Sequence, residues 1–277
     1  MPDIIIINES TVVSDEDLAT WTAAVQRQIT EHVAPFWGVS ATLHNLPSGS
    51  PRPTGDEWWM VVLDDELSTI NLGYHELGSN GQPMGKVLAK KELDSPWNSP
   101  GLTRESPSRV LSHEIIEMLV DPNLVSTIDY DDMSYQVEPG DIVMLPTQGY
   151  PIDNVLVSGW ATPAYYRLNT DTRYDYGGYL TGPCPTQAHG TYLLQRKIGE
   201  QTWQPNVLYA LAEGPGLEPQ RLHYMTRPHL GSRRHRIALG HAKWLRSTAE
   251  APERLPAHRA GAAAARAQRS MRSAASR

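Results

Sequence analysis

The sequence has almost no cysteine and no long apolar run. Its single cysteine, Cys184, excludes an internal disulfide framework and is typical of a protein from a reducing compartment. No stretch of about 18 apolar residues is present, which excludes a membrane-spanning helix and gives no reason to expect a membrane partner. The N-terminal segment MPDIIIINES has no basic residues before its short apolar run and no small-residue cleavage site after it. A standard secretory signal is therefore not predicted, and we expect a cytoplasmic protein.

Positive charge is scarce in most of the chain and concentrated near its end. The 277 residues carry a net charge of −7. Residues 1–226 hold 12 Lys and Arg against 29 Asp and Glu, a net of −17, whereas residues 227–277 hold 12 against 2, a net of +10. The acidic part carries the periodic apolar patterns, and the basic part ends in the low-complexity segment AHRAGAAAARAQRSMRSAASR.

This contrast predicts a folded domain over residues 1–205 and a basic, low-complexity tail over residues 206–277. The tail has little to bury and is expected to be disordered. Basic tails can contact nucleic acid or an anionic surface, but this one has no ordered recognition motif. A dispensable extension is therefore the favoured interpretation, and any contact with nucleic acid is expected to be weak. The sequence gives no indication of the oligomeric state.

Apolar periodicity divides the first part of the chain into strands and two helices. A run at 4–7 predicts a buried strand. Ser14 is a good N-cap for a long helix with one apolar stripe, and Gly38 is suited to end it. Further strands are predicted at 39–46, 57–64, 72–77 and 85–90, and a second helix at 107–120, with an irregular, strand-rich part after it. Adjacent strands with turn-like links favour an α+β fold, a mixed sheet with helices on one side, over a parallel α/β fold.

The second helix carries the residues that point most clearly to chemistry. Its sequence, SPSRVLSHEIIEMLVDP, places His113, Glu114, Glu117 and Asp121 in one narrow stripe, while most other positions are apolar. No Lys or Arg follows Arg109 within the helix. A solvent-exposed helix normally mixes basic residues into such a stripe. A functional stripe and a solvent-facing acidic stripe are the two interpretations.

The segment His113-Glu114-x-x-Glu117 has the spacing of the H-E-x-x-H zinc helix, with Glu in place of the second His. Residues i and i+4 lie one turn apart, so their side chains can bind one metal ion from the same face. A carboxylate at i+1 lies beside them and can take a proton from water that the metal activates. Because zinc accepts carboxylate oxygen as well as imidazole nitrogen, His113 and Glu117 are acceptable ligands.

The order of elements and the residues of this helix resemble a known family. Strand, long helix, strands and an H-E-x-x helix follow one another as in the zincin fold of metallopeptidases. SHEIIEMLVDP is also similar to bacterial and phage proteins regarded as metallopeptidases with an H-E-x-x-E helix. In that group a D/E-P-x-E-type segment, a Tyr and a V-S-x-F/W-x-x-P-x-Y-type strand come next. This chain has VEPGD at 137–141, then Tyr150, then VSGWATPAYY at 157–166.

The resemblance covers about residues 1–205 and implies a zincin-like fold around one zinc ion. It implies that His113 and Glu117 are ligands and that Glu114 is the general base. The third ligand stays open, with Glu138, Asp141 and Asp121 as the candidates.

Other residues carry weaker signals. Asp129, Asp131 and Asp132 could help bind a hard cation such as Ca²⁺, but they lack the ligand order of an EF-hand, so a solvated turn is favoured. His75, in the strand pattern LGYHEL, is interpreted as an ordinary half-buried strand histidine. His189, in a loop before a glycine, is a minor candidate for a metal ligand.

Two functions from different classes follow from this pattern. The first is a zinc-dependent peptidase acting on a peptide or protein substrate, which would lie extended along an edge strand within 72–90. The second is a non-catalytic zincin-like protein that binds a metal, such as a phage or prophage structural component. Tight zinc binding with chelator-sensitive activity would favour the first, and a folded protein that binds no metal would favour the second.

Overall fold

A computed structural model describes residues 1–53, 55–66, 72–93, 106–188 and 191–208 of the chain. Its strands are β1 (Asp3–Asn8), β2 (Thr42–Leu46), β3 (Trp58–Leu63), β4 (Gly73–Leu77), β5 (Pro83–Leu88), β6 (Thr127–Tyr130), β7 (Met133–Gln136), β8 (Tyr150–Ile152), β9 (Val155–Val157), β10 (Thr191–Lys197) and β11 (Gln204–Leu208). Its α-helices are α1 (Asp15–Arg27), α2 (Ala34–Trp37), α3 (Ala89–Leu93) and α4 (Pro107–Val120). The predicted α+β class is confirmed.

The first sheet has five strands in the order β2-β1-β3-β5-β4. Neighbouring strands are parallel except at one edge, where β4 runs antiparallel to β5. Helices α1 and α4 pack against one face of this sheet. The shared core includes Ile4, Ile6, Leu18, Val25, Met60, Val62, Leu111, Ile115 and Met118. Helix α4 contacts β5 and β4 and therefore lies beneath the antiparallel edge of the sheet.

The long first helix begins and ends where the sequence predicts. Ser14 Oγ accepts a backbone N–H of the first turn at 3.0 Å, and Gly38 adopts the left-handed conformation, with φ of 66°, that ends the helix. A π-helical segment, Gln28–Val33, joins α1 to α2 and was not predicted. Within it, the Gln28 side chain donates to the backbone carbonyl of Ser158 at 2.8 Å, which ties this helix to the later part of the chain.

Two predicted strands have different bounds in the structure. The strand predicted at 39–46 begins only at Thr42. The strand predicted at 85–90 starts earlier and ends at Leu88, where the chain turns into α3. The backbone N–H groups of Lys90 and Lys91 donate to the carbonyl of Asp64, at 3.0 and 3.3 Å, and this local bonding replaces the sheet ladder.

The chain after α4 forms a four-stranded antiparallel sheet in the order β11-β10-β7-β6 and a short β8-β9 hairpin. Its core is rich in buried aromatic side chains, which include Tyr135, Trp160, Tyr165 and Tyr166. This is the strand-rich part that the sequence predicts after the second helix. It positions the loop between β7 and β8 against α4.

Two further observations concern the limits of the domain. Strand β11 continues to Leu208, so it crosses the predicted boundary at residue 205. Residues 209–277, which make up most of the predicted tail, lie outside the described residues.

Within the described ranges, none of the helices has the length and apolar character needed to cross a lipid bilayer.

Candidate metal centre

Helix α4 is buried along almost its whole length. His113 is 8 % exposed, Glu114 is 4 % exposed and Glu117 is fully buried. The interpretation of a solvent-facing acidic stripe is therefore wrong, because the ionisable stripe points into the protein. Burying several charged groups together is costly unless they pair with one another or bind a cation.

Three atoms of ligand type converge at this stripe. His113 Nε2 lies 3.2 Å from Glu117 Oε2 and 3.3 Å from Asp141 Oδ1, and all three atoms lie within 4.8 Å of one another. The helix brings the first two residues together by their i,i+4 spacing. Asp141 begins a short 3₁₀ turn, Asp141–Val143, in the loop after β7. The backbone N–H of Gly140 donates to Glu117 Oε1 at 3.2 Å and fastens this loop to the helix.

These distances are compatible with a shared cation. Two ligands held about 2.0–2.1 Å from a tetrahedral zinc ion lie roughly 3.3 Å apart. In the metal-free protein the same contacts are long hydrogen bonds from one imidazole N–H shared between two carboxylates. One imidazole nitrogen and two carboxylate oxygens are also donor types that zinc accepts. The group formed by His113, Glu117 and Asp141 therefore fits zinc.

Of the three candidates for the third ligand, the structure brings Asp141 to the helix pair. Glu138 is buried nearby in the chain, but its Oε1 accepts from Gln136 Nε2 at 2.5 Å and it is not part of the converging group. Asp121 Oδ1 accepts two backbone N–H groups of the turn that follows α4, each at 3.0 Å. Asp121 therefore stabilises the end of the helix.

A second histidine, His75 of β4, lies on the other side of the stripe. Its Nδ1 is 3.2 Å from Glu114 Oε2 and 3.8 Å from Glu117 Oε2. The other carboxylate oxygen of Glu114, Oε1, lies 4.0 Å from His113 Nε2. His75 is 1 % exposed, so its interpretation as an ordinary half-buried histidine is wrong: α4 covers the inner face of its strand.

Sequence reasoning also missed Tyr192, which lies in β10. Its hydroxyl is hydrogen-bonded to Asp141. Desolvation raises the pKa of Tyr192 well above its ordinary value, and the charges of Asp141 and Glu117 raise it further, so the hydroxyl keeps its proton and donates. No local pattern singles out this tyrosine, because only the pairing of β10 with β7 brings it to the loop.

The carboxylates around His113 control its protonation. Burial by itself lowers the pKa of an imidazole, but the charge of Glu117, together with hydrogen bonds to Asp141 and Glu117, outweighs it. The pKa of His113 is therefore raised well above its ordinary value. Burial and the charge of Glu117 also raise the pKa of Asp141. In the absence of a metal this pocket holds protons, which a cation must displace in order to bind.

The remaining candidates lie elsewhere. Asp129, Asp131 and Asp132 are exposed at the β6–β7 turn and are not among the groups of described residues that could hold a metal ion. Such exposure is typical of a solvated turn. His189 lies outside the described residues.

Comparisons with protein-family models, with curated proteins and with solved structures give no match for this chain. The resemblance to zincin metallopeptidases therefore stays a prediction from the sequence. The convergence of His113, Glu117 and Asp141 is an independent observation of the structure.

Proposed function

We propose that the chain is a zincin-like, zinc-dependent peptidase that hydrolyses peptide bonds in a peptide or protein substrate. The observation that carries the proposal is the convergence of His113 Nε2, Glu117 Oε2 and Asp141 Oδ1, with a fourth ionisable residue, Glu114, beside them. A buried set of metal-ligand type with an adjacent carboxylate is the minimum that metal-assisted hydrolysis requires.

His113, Glu117 and Asp141 would hold the ion. When bound, zinc supplies a Lewis acid that lowers the pKa of water and polarises a carbonyl group. Tyr192 donates a hydrogen bond to Asp141 and so holds the orientation of that carboxylate.

Glu114 has the position of a general base. Its Oε1 lies 4.0 Å from His113 Nε2, farther than the roughly 3.3 Å that separates ligands of one tetrahedral ion. The carboxylate is therefore beside the ligand group and can take a proton from an attacking water. The same carboxyl group can then deliver the proton to the leaving amine.

The first sheet has an edge strand that is suited to an extended peptide substrate. Strand β4 is an edge strand of the first sheet, with β5 as its neighbour, and α4 contacts both. A peptide can add to such an edge through backbone hydrogen bonds, which would place a peptide carbonyl alongside the stripe of α4. The mixed sheet with one antiparallel edge also supports the zincin-like description of the fold.

The proposal is tested by the zinc content of purified full-length protein after equilibration with zinc and removal of excess metal. Wild type and His113→Ala are compared with His44→Ala, because His44 is an exposed histidine that pairs with Asp3 at 2.9 Å, away from the site. We expect about one zinc ion per chain in wild type and in His44→Ala, and loss of zinc in His113→Ala. Wild-type protein that is folded but binds no zinc would contradict the proposal.

A second candidate is a non-catalytic metal-binding protein, and the composition of the ligand group favours it. Two of the three candidate ligands are carboxylates, and each anionic ligand makes the ion a weaker Lewis acid. Incubation of the zinc-loaded protein with a broad fluorogenic peptide library, with and without a chelator, separates the two functions. Chelator-sensitive cleavage supports the peptidase, and bound zinc without cleavage supports the non-catalytic protein.

A further inference from the structure

We infer that His75 is a positioning residue for Glu114: it holds one oxygen of this carboxylate and leaves the other directed at the ligand group. This inference rests on the proposed function, in which Glu114 is the base. It assigns a task to a residue that belongs to a different element, the edge strand β4.

The two oxygens of Glu114 have different surroundings. Oε2 lies 3.2 Å from His75 Nδ1, which is within hydrogen-bond range. Oε1 lies 4.0 Å from His113 Nε2 and faces the ligand group. The 3.8 Å between His75 Nδ1 and Glu117 Oε2 is too long for a hydrogen bond, so the hydrogen bond of His75 Nδ1 is to the base.

The close packing of β4 against α4 makes this contact possible. Alternate residues of a strand face the same side, so Gly73 and His75 both face α4. A Cβ atom at Gly73 would lie 3.1 Å from Glu114 Oε1 and 2.3 Å from Val110 Cγ1. Glycine therefore lets the helix approach the strand closely, and two residues further along the strand His75 meets the other oxygen.

The consequence is a base with little freedom to rotate. A glutamate side chain has three rotatable bonds, and fixing it in the reactive geometry removes an entropic cost from the chemical step. His75 is 1 % exposed and its strand pairs with β5 through the His75–Gly85 register, so the donor is itself held firmly. Losing such a supporting contact typically lowers activity about 10- to 100-fold.

The test uses His75→Asn and His75→Leu in the full-length zinc-loaded protein. The asparagine side-chain N–H can take the place of His75 Nδ1–H, whereas leucine fills a similar volume without a donor. With a fluorogenic peptide cleaved by wild type, we expect His75→Leu to lower kcat about 10- to 100-fold with little change in KM. We expect His75→Asn to recover most of that loss, and all three proteins to bind the same amount of zinc.

A second measurement does not depend on activity. Proton NMR of the zinc-loaded wild type should show a downfield imidazole N–H resonance that exchanges slowly with water. We expect it to disappear in His75→Leu, to move upfield in Glu114→Gln, where the acceptor is no longer charged, and to stay in place in His44→Ala, which lies away from the site. This result would support the contact even if no peptide is cleaved, an outcome that would contradict only the peptidase proposal.

Three results would overturn the inference. One is a resonance that does not respond to Glu114→Gln. Another is a His75→Leu variant with the same kcat as wild type. The third is a zinc content of two ions per wild-type chain that falls to one in His75→Leu, because His75 would then be a ligand of a second ion together with Glu114 and Glu117.

Discussion

Gly140 lies directly against the imidazole ring of His113. A Cβ atom at position 140 would be 2.4 Å from His113 Nδ1 and 2.6 Å from its Cε1. The same glycine donates its backbone N–H to Glu117 Oε1. One residue without a side chain therefore keeps the loop that carries Asp141 in contact with both candidate ligands on the helix.

We predict that Gly140→Ala lowers zinc affinity by about tenfold or more, because the added methyl group pushes the ring of His113 away from Asp141. Isothermal titration with zinc measures this directly. Gly55→Ala is the control, since the three atoms nearest to a Cβ there all belong to the flexible side chain of Glu57. Equal affinities in wild type and Gly140→Ala would show that this packing does not position the ligand.

Glu114→Gln and Glu117→Gln should have different effects. The first variant is nearly isosteric and removes the proton acceptor, so we expect unchanged zinc content and a turnover about 10²–10⁴-fold lower. The second weakens a charged ligand, so we expect a loss of zinc affinity. Zinc content and peptide cleavage are measured on the same preparations. Equal loss of zinc in both variants would make Glu114 a ligand, and full activity in Glu114→Gln would remove it from the mechanism.

Zinc affinity should rise with pH. The pKa of His113 is raised in the metal-free protein, so the ring stays protonated to higher pH than an ordinary histidine. Zinc binds the neutral ring and must displace that proton, so affinity should increase about tenfold per pH unit below this pKa and level off above it. Competition with a chromophoric chelator between about pH 6 and pH 8 gives the slope. A flat profile would mean that no proton leaves on binding.

Residues 1–208 should fold without the rest of the chain. Strand β11 pairs with β10 from Gln204 to Leu208, so a chain ending at 208 keeps this ladder intact. We expect circular dichroism to show the same melting temperature for 1–208 and the full chain, and a lower one for 1–203, which lacks β11. A truncated 1–208 protein that does not fold would show that the basic segment contributes to the domain.

The helix and the convergence of His113 with Glu117 could be predicted because their signals are local. Pro107 and Asp121-Pro122 mark the ends of α4, which runs over Pro107–Val120, and the i,i+4 spacing places His113 and Glu117 on one face whatever the surrounding fold is. The depth of burial could not be predicted. It depends on the edge of the first sheet and on the β7–β8 loop, both of which meet α4 only in the folded chain.

The third candidate ligand and the residues around it are set by long-range geometry. Glu138 and Asp141 lie in the same short loop, and only the turn beginning at Gly140 decides which of them reaches His113. His75 is interpreted from the sequence as a half-buried strand residue because the sequence pattern of its strand does not show which face α4 covers. Tyr192 depends on a pairing between β10 and β7 that no local pattern encodes.

The three candidate ligands come from two parts of the chain, and this affects the stability of the fold. His113 and Glu117 belong to the helix of the first sheet, whereas Asp141 belongs to the loop that leaves the second. With Cys184 as the only cysteine, no disulfide bond can join these two halves within the chain. A zinc ion bound by all three residues would act as a cross-link between them, and closing a chain segment of this size restricts the unfolded state by about 3 kcal/mol. Such an ion would be a removable cross-link, and its withdrawal would loosen the junction of the two sheets.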